Sequence, residues 1–194
     1  MTPLDAALRR IGAELATAHV PFALVGGLAV SVRTEPRFTR DADLAVAVAS
    51  DAEAEALIHM LRVRGYGIEA IVEQDAVGRL ATVRLVLSDE PRAPVVDLLF
   101  ASSGIESEVV ASAEAVDLLP QLRMGVARTG HLIALKVLSR DDVRRPQDLV
   151  DLRALLRVAS PDELTRARDA IGLIATRGYH RGRDLPAEME ALSV

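Results

Sequence analysis

Residues 22–46 read FALVGGLAVSVRTEPRFTRDADLAV. An apolar run ends in Gly26-Gly27, and a second apolar run carries Asp41 and Asp43, one residue apart. Side chains alternate faces along a strand, so the two carboxylates point the same way, separated by roughly 6.5–7 Å. Ala42 and Leu44 point to the other face. Carboxylates on one strand face repel, and burying either unpaired costs several kcal/mol. A divalent cation offsets that cost, because Mg²⁺ takes hard oxygen ligands and keeps waters and phosphates in its shell. Pairing of Asp41 with Arg37 or Arg40 is the alternative.

Asp97 sits in VVDLLF, among aliphatics and a phenylalanine. Taken alone, it reads more readily as a turn former or a helix cap at a strand end. Beside the Asp41–Asp43 strand, it would complete a carboxylate trio able to hold two metals about 3.5–4 Å apart, which aligns attacking oxygen, phosphorus and leaving oxygen. Gly26-Gly27 closes one strand and opens a helix, so free N–H groups can face an anion and the backbone can be approached closely.

The surrounding pattern alternates strands and helices. Thr2 and Pro3 open a helix through Leu4, Leu8, Ile11 and Leu15. DAEAEALIHMLRVRG is an amphipathic helix stopped by Gly65. RLATVRLVLS and APVVDLLFA are strands separated by the turn residues DEPR. After residue 104 the chain reads as mostly helical. TGHLIALKVLSR is capped by Thr129, RPQDLVDLRALLRVA follows, and SPDELTRARDAIGLIATRG has Ser160 as cap with Glu163 closing a capping box. The expected organisation is an α/β (α+β) fold. Residues 1–105 form a small mixed-sheet core with flanking helices, and 106–194 a mainly helical region packed on it.

The chain has 194 residues, 50% hydrophobic and 26% charged, with no cysteine. Disulfides and thiolate metal sites are excluded. No apolar run suits a membrane span and no signal peptide is evident, so a cytoplasmic protein is expected. The net charge of −5 argues against a general nucleic-acid coat. Yet residues 1–110 carry 10 basic and 16 acidic side chains, while 120–183 carry 13 and 7. The second balance permits an anionic partner; arginines that merely solvate helix faces explain it as well. Lys136 is the only lysine beside 22 arginines. Among aliphatics it must snorkel, pair with a carboxylate or meet a ligand. On the next helix Asp148 and Asp151 share a face at i, i+3, and a Lys136–Asp148 bridge is the structural alternative. The four histidines, His19, His59, His131 and His180, lack metal spacing and read as surface or helix-end residues. GYHRGRDLP is a basic loop that could meet RNA or simply be solvated. Aromatics are only 3%, so base-stacking platforms are scarce.

VGG…RFTRDADL resembles the signature of the nucleotidyltransferase superfamily with the polymerase-β-like fold. RFTRDADL and HLIALKVLSRDDVRRPQDLVDL resemble its AbiEii branch, which includes toxins of toxin–antitoxin pairs. The likeness touches residues 22–46, 95–99 and 129–152. It implies that Gly26 and Gly27 bind the triphosphate and that Asp41, Asp43 and Asp97 hold Mg²⁺ (or Mn²⁺), Asp97 serving as ligand or general base. Lys136 would contact nucleotide phosphates, Asp148 would lie near the nucleotide or orient Lys136, Asp151 would be a lesser candidate, and Arg37 would line the entrance. Gly27 stands where many members have serine, which leaves phosphate binding to backbone amides. The implied activity is transfer of NMP from an NTP to an acceptor hydroxyl with release of pyrophosphate. The implied partners are an RNA acceptor, such as a tRNA 3′ end, or a protein hydroxyl, and a cognate antitoxin. Small-molecule transfer of the aminoglycoside-modifying kind and a non-catalytic nucleotide- or partner-binding role are the rivals.

Overall fold

The computed structural model describes residues 2–37, 39–87, 94–141 and 143–192. The expected turn at DEPR lies outside them. Among the described residues seven strands form one mixed sheet in the order β3-β4-β5-β2-β1-β7-β6. In chain order, α1 is Pro3–Thr17, β1 Phe22–Val25, α2 Gly26–Arg33, β2 Ala42–Val46, α3 Asp51–Val63, β3 Tyr66–Gln74, β4 Arg79–Leu87 and β5 Val96–Leu99. Then come α4 (Glu106–Ala111), β6 (Glu114–Leu119), β7 (Leu122–Val126), α5 (Thr129–Ser139), α6 (Pro146–Val158), α7 (Pro161–Thr176) and α8 (Leu185–Leu192). Among the described residues no helix is long and apolar enough to cross a membrane.

The expected α/β architecture forms for the expected reasons. Thr2 and Asp5 close a capping box on α1, and Ala7, Leu8, Ile11 and Leu15 are buried. Along β4, Ala81, Val83, Leu85 and Leu87 face the core, which turns Thr82 and Arg84 to the other face. Strand β2 lies between β1, antiparallel to it, and β5, parallel to it.

Three strands are absent from the sequence reading. β3 is largely exposed and sits at a sheet edge, so its apolar residues show no buried run. β6 and β7 fall within the stretch read as mostly helical, and β7 joins the sheet alongside β1. Their hairpin turns at Pro120-Gln121 with Gln121 at φ 60°, without the Asn-Gly or Asp-Gly that usually announces such a turn. The same sheet therefore runs across residue 105.

Two cap assignments are corrected. Arg128, not Thr129, precedes α5 as its cap residue, and it makes no side-chain capping bond. Ser160 accepts from the Glu163 N–H, but the Glu163 carboxylate does not reach back. It instead accepts from the N–H of Gly130, at 2.6 Å, and so caps α5 from α7. His131, in the first turn of α5, is buried rather than at the surface.

Candidate active site

Strand register creates the site. Val25 of β1 faces Asp43 of β2, Asp43 faces Asp97 of β5, and Asp97 faces Arg84 of β4. Directly opposed residues on neighbouring strands share a face, so these four form one row across the sheet. Asp41 lies two residues before Asp43, on the same face of the chain. Over this row lies a cleft of about 880 Å³, walled by α5, the α5–α6 turn and the start of α6. Gly26, Gly27, Arg37, Asp41, Asp43, Asp97, Lys136 and Asp148 all line it, whereas Asp151, the lesser candidate, lies buried behind it.

The glycines are spacers. Gly26 opens α2 at φ 65°, and a Cβ there would lie 1.9 Å from Asp43 Oδ2. A Cβ on Gly27 would lie 2.5 Å from Arg37 Nη2. Any side chain at either position would thus displace a charged group of the cleft. The first turn of α2 has no side-chain cap, and the Gly27 N–H donates to Asp43.

Asp43 stands among like charges. Burial first, then the charges of Asp97 and Asp41, push its carboxyl up to about 6, against the lowering pull of Lys136. Uncompensated negative charge on closely set carboxylates suits a hard divalent cation. Asp41 and Asp43 fit such an ion; Asp97 does so only conditionally. Arg84 holds Asp97 with both ends of its guanidinium, Nε to Oδ1 at 2.9 Å and Nη2 to Oδ2 at 2.8 Å. That hydrogen bonding raises the Arg84 pKa. Among the described residues no three ligand side chains stand gathered around a common point.

Lys136 meets both of its expected carboxylates. Its Nζ lies 2.6 Å from Asp148 Oδ1 and 2.9 Å from Asp151 Oδ2. Ser139 Oγ and Arg145 Nε approach Asp148 Oδ2, each at 3.2 Å. Arg37 Nη2 donates to Asp151 Oδ2 at 2.7 Å, and Gln147 donates to Oδ1. Burial pushes the Asp151 carboxyl up, but the bonds from Gln147, Lys136 and Arg37 outweigh it and hold it below the usual range. Asp151 is thus a buried hub that ties Arg37 to Lys136, while Asp148 lines the cleft itself.

The sequence reading singled out neither Arg84 nor Arg144 and Arg145, which also line the cleft, and it reached Arg181 only as part of the basic loop GYHRGRDLP. Arg84 had a usable signal: it alternates with buried Val83 and Leu85, which places it on the opposite face of β4. The others lie in turns, whose direction no periodicity gives. Tyr179 of the basic loop is buried against Gly104 and offers no stacking platform.

No curated protein has a matching sequence. In fold the chain is similar to an antigenic nucleotidyltransferase-like protein from Paracoccidioides brasiliensis, at 18% identity and a TM-score of 0.54, over 97% of this chain and 92% of that one. It is similar also to ANT(2″)-Ia, solved in complex with adenylyl-2″-tobramycin, at 17% identity and a TM-score of 0.51 over 100% of both chains. The sequence model described as "Nucleotidyl transferase AbiEii toxin, Type IV TA system" matches residues 7–193. A family match across nearly the whole length, on a nucleotidyltransferase fold, makes this chain a nucleotidyltransferase and a member of the AbiEii toxin family.

Proposed function

We propose that the chain transfers NMP from an NTP to a hydroxyl at the 3′ end of an RNA, with tRNA the favoured acceptor. The row Asp43–Asp97 beside the Gly26-Gly27 turn carries this reading, because it sets carboxylates next to backbone N–H groups at the start of α2 in one cleft. The hydroxyl oxygen attacks the α-phosphorus, the bond from that phosphorus to the bridging oxygen breaks, and pyrophosphate leaves. Asp41 and Asp43 would hold Mg²⁺, which would supply charge neutralisation on the phosphates. Gly26 and Gly27 let the triphosphate lie against the start of α2. Lys136, steadied by Asp148 and Asp151, and Arg37 present positive charge to it. Asp97, once released by Arg84, accepts the hydroxyl proton or joins Asp41 and Asp43. Positioning and electrostatics contribute most of the rate, as in other phosphoryl transfers.

As a family of type IV toxin–antitoxin systems implies, the activity would be toxic and countered by an antitoxin, in the cytoplasm where NTPs and RNA meet. The test incubates purified protein with Mg²⁺, each α-labelled NTP in turn and total cellular RNA. Label on an RNA band, absent from an Asp41→Ala/Asp43→Ala control, is the expected result and names the nucleotide. NTP binding with no label on RNA overturns the RNA reading. Label on an added aminoglycoside would then support small-molecule transfer; label nowhere would support a binding role.

A further inference from the structure

The cleft is electrically lopsided. Asp41 and Asp43 stand at the sheet, whereas Arg144, Arg145 and Arg181 stand on the helical wall. Most other charges of the cleft cancel locally: Arg84 with Asp97, Lys136 with Asp148, Arg37 with Asp151. Arg144 and Arg181 do not, and Arg145 does so only in part. Arg145 shares Asp148 with Lys136. Among the described residues neither Arg144 nor Arg181 has a carboxylate partner, and Arg181 Nη2 reaches only the Ser102 carbonyl, at 3.5 Å.

Both supports are built. Asp141 Oδ1 accepts the N–H groups of Val143 and Arg144, and its carbonyl accepts that of Arg145 at 2.7 Å, which fixes the turn before α6. Arg181 has φ 54°, a left-handed conformation that non-glycine residues adopt at a cost, and Gly182 follows at 72°. The turn is locked by Arg183, which donates to the Val137 and Leu138 carbonyls and pairs with Glu188. Arg181 is exposed at the rim of the cleft, where partial desolvation and the nearby charges of Arg183 and Arg145 lower its pKa. A strained turn thus holds like charges together at the cleft, an arrangement that an anion would relieve.

We propose that Arg144, Arg145 and Arg181 form a second phosphate-binding subsite of the cleft, which takes a backbone phosphate of the nucleic-acid acceptor. This rests on the nucleotidyl-transfer reading above; the shared chemistry is a phosphate group, and the NTP is its other source.

The test measures fluorescence anisotropy with a short fluorescein-labelled single-stranded oligoribonucleotide and, separately, with a fluorescent NTP. Wild type, Arg144→Ala, Arg181→Ala and Arg181→Glu are compared, with melting curves to confirm folding. Oligonucleotide affinity falls about tenfold in the variants, the log K against log salt slope flattens by about 0.7 per arginine removed, and NTP affinity stays unchanged. Loss confined to the NTP overturns the acceptor assignment. Unchanged binding of both probes overturns the subsite. Wild type that binds the oligonucleotide but transfers no nucleotide would refute the activity above while leaving the subsite supported.

Discussion

Arg84 on β4 grips both carboxylate oxygens of Asp97 on β5, directly across the ladder. The third carboxylate of the row is therefore engaged by a cation of the protein's own. Arg84→Gln frees it. Asp97 is buried although Arg84 is half-exposed, so the variant leaves a buried carboxylate without its bidentate partner and loses about 1–3 kcal/mol of stability in the absence of Mg²⁺. Affinity for Mg²⁺, read from thermal shifts across a Mg²⁺ titration, rises roughly five- to tenfold. Unchanged affinity would mean that Asp97 takes no part in holding the ion.

Asp43 lowers the stability of the fold it serves. A carboxyl pushed up to about 6 by burial is charged at an unfavourable site at neutral pH. Without Mg²⁺, Asp43→Asn is expected to be more stable than wild type at neutral pH, by no more than about 3 kcal/mol. Adding Mg²⁺ raises the wild-type melting temperature and leaves the variant's unmoved. Denaturant curves with and without the ion check both signs.

Lys136→Met removes the cation between two buried carboxylates. Breaking one side of such a buried pair costs about 3–5 kcal/mol, or about 10 °C in melting temperature for a domain of this size. Asp151 keeps Arg37 and Gln147, and Asp148 keeps Arg145 and Ser139, which places the loss toward the lower end of that range. Calorimetry at fixed pH reads it.

Gly27 and Arg37 form a coupled pair. Gly27→Ser places an atom against the Arg37 guanidinium, so NTP affinity falls. In Gly27→Ser/Arg37→Ala the collision is gone, and the two losses sum to less than additivity requires. A double-mutant cycle on NTP binding measures the coupling, expected at about 1–2 kcal/mol.

His131 gives the fold an acid limit outside the cleft. Burial, then the charge of Arg166, lowers it from 6.5 to about 4. The unfolded chain binds its proton first as pH falls, so stability is full above about pH 6.5 and is lost progressively toward pH 4. The loss is on the order of 3 kcal/mol. His131→Gln flattens the profile over that window, as pH-dependent denaturation would show.

Much of this site was legible because its residues contradict their surroundings. Asp41, Asp43 and Asp97 are carboxylates in apolar runs, Lys136 is a lone lysine among aliphatics, and each carries its anomaly in the local sequence. Arg84 was not legible in the same way, because an arginine on an alternating strand looks like solvated surface until β5 is placed beside it. The β6–β7 hairpin escaped because its left-handed turn residue is a glutamine. The Glu163 cap escaped because its partner, Gly130, lies 33 residues away. Such features arise from tertiary pairing, which periodicity does not encode.

The Val25–Asp43 register divides the site into a part that tolerates changes in length and a part that does not. Residues 35–37 and 39–40 lie outside regular structure, so natural variants with an insertion there can keep both ends of the cleft in place. One residue added or removed within β2 would instead rotate Asp43 into the core and bring an alanine or leucine to the cleft. Divergence in this chain should therefore accumulate as loop length ahead of β2 and as substitution, never as length, within it.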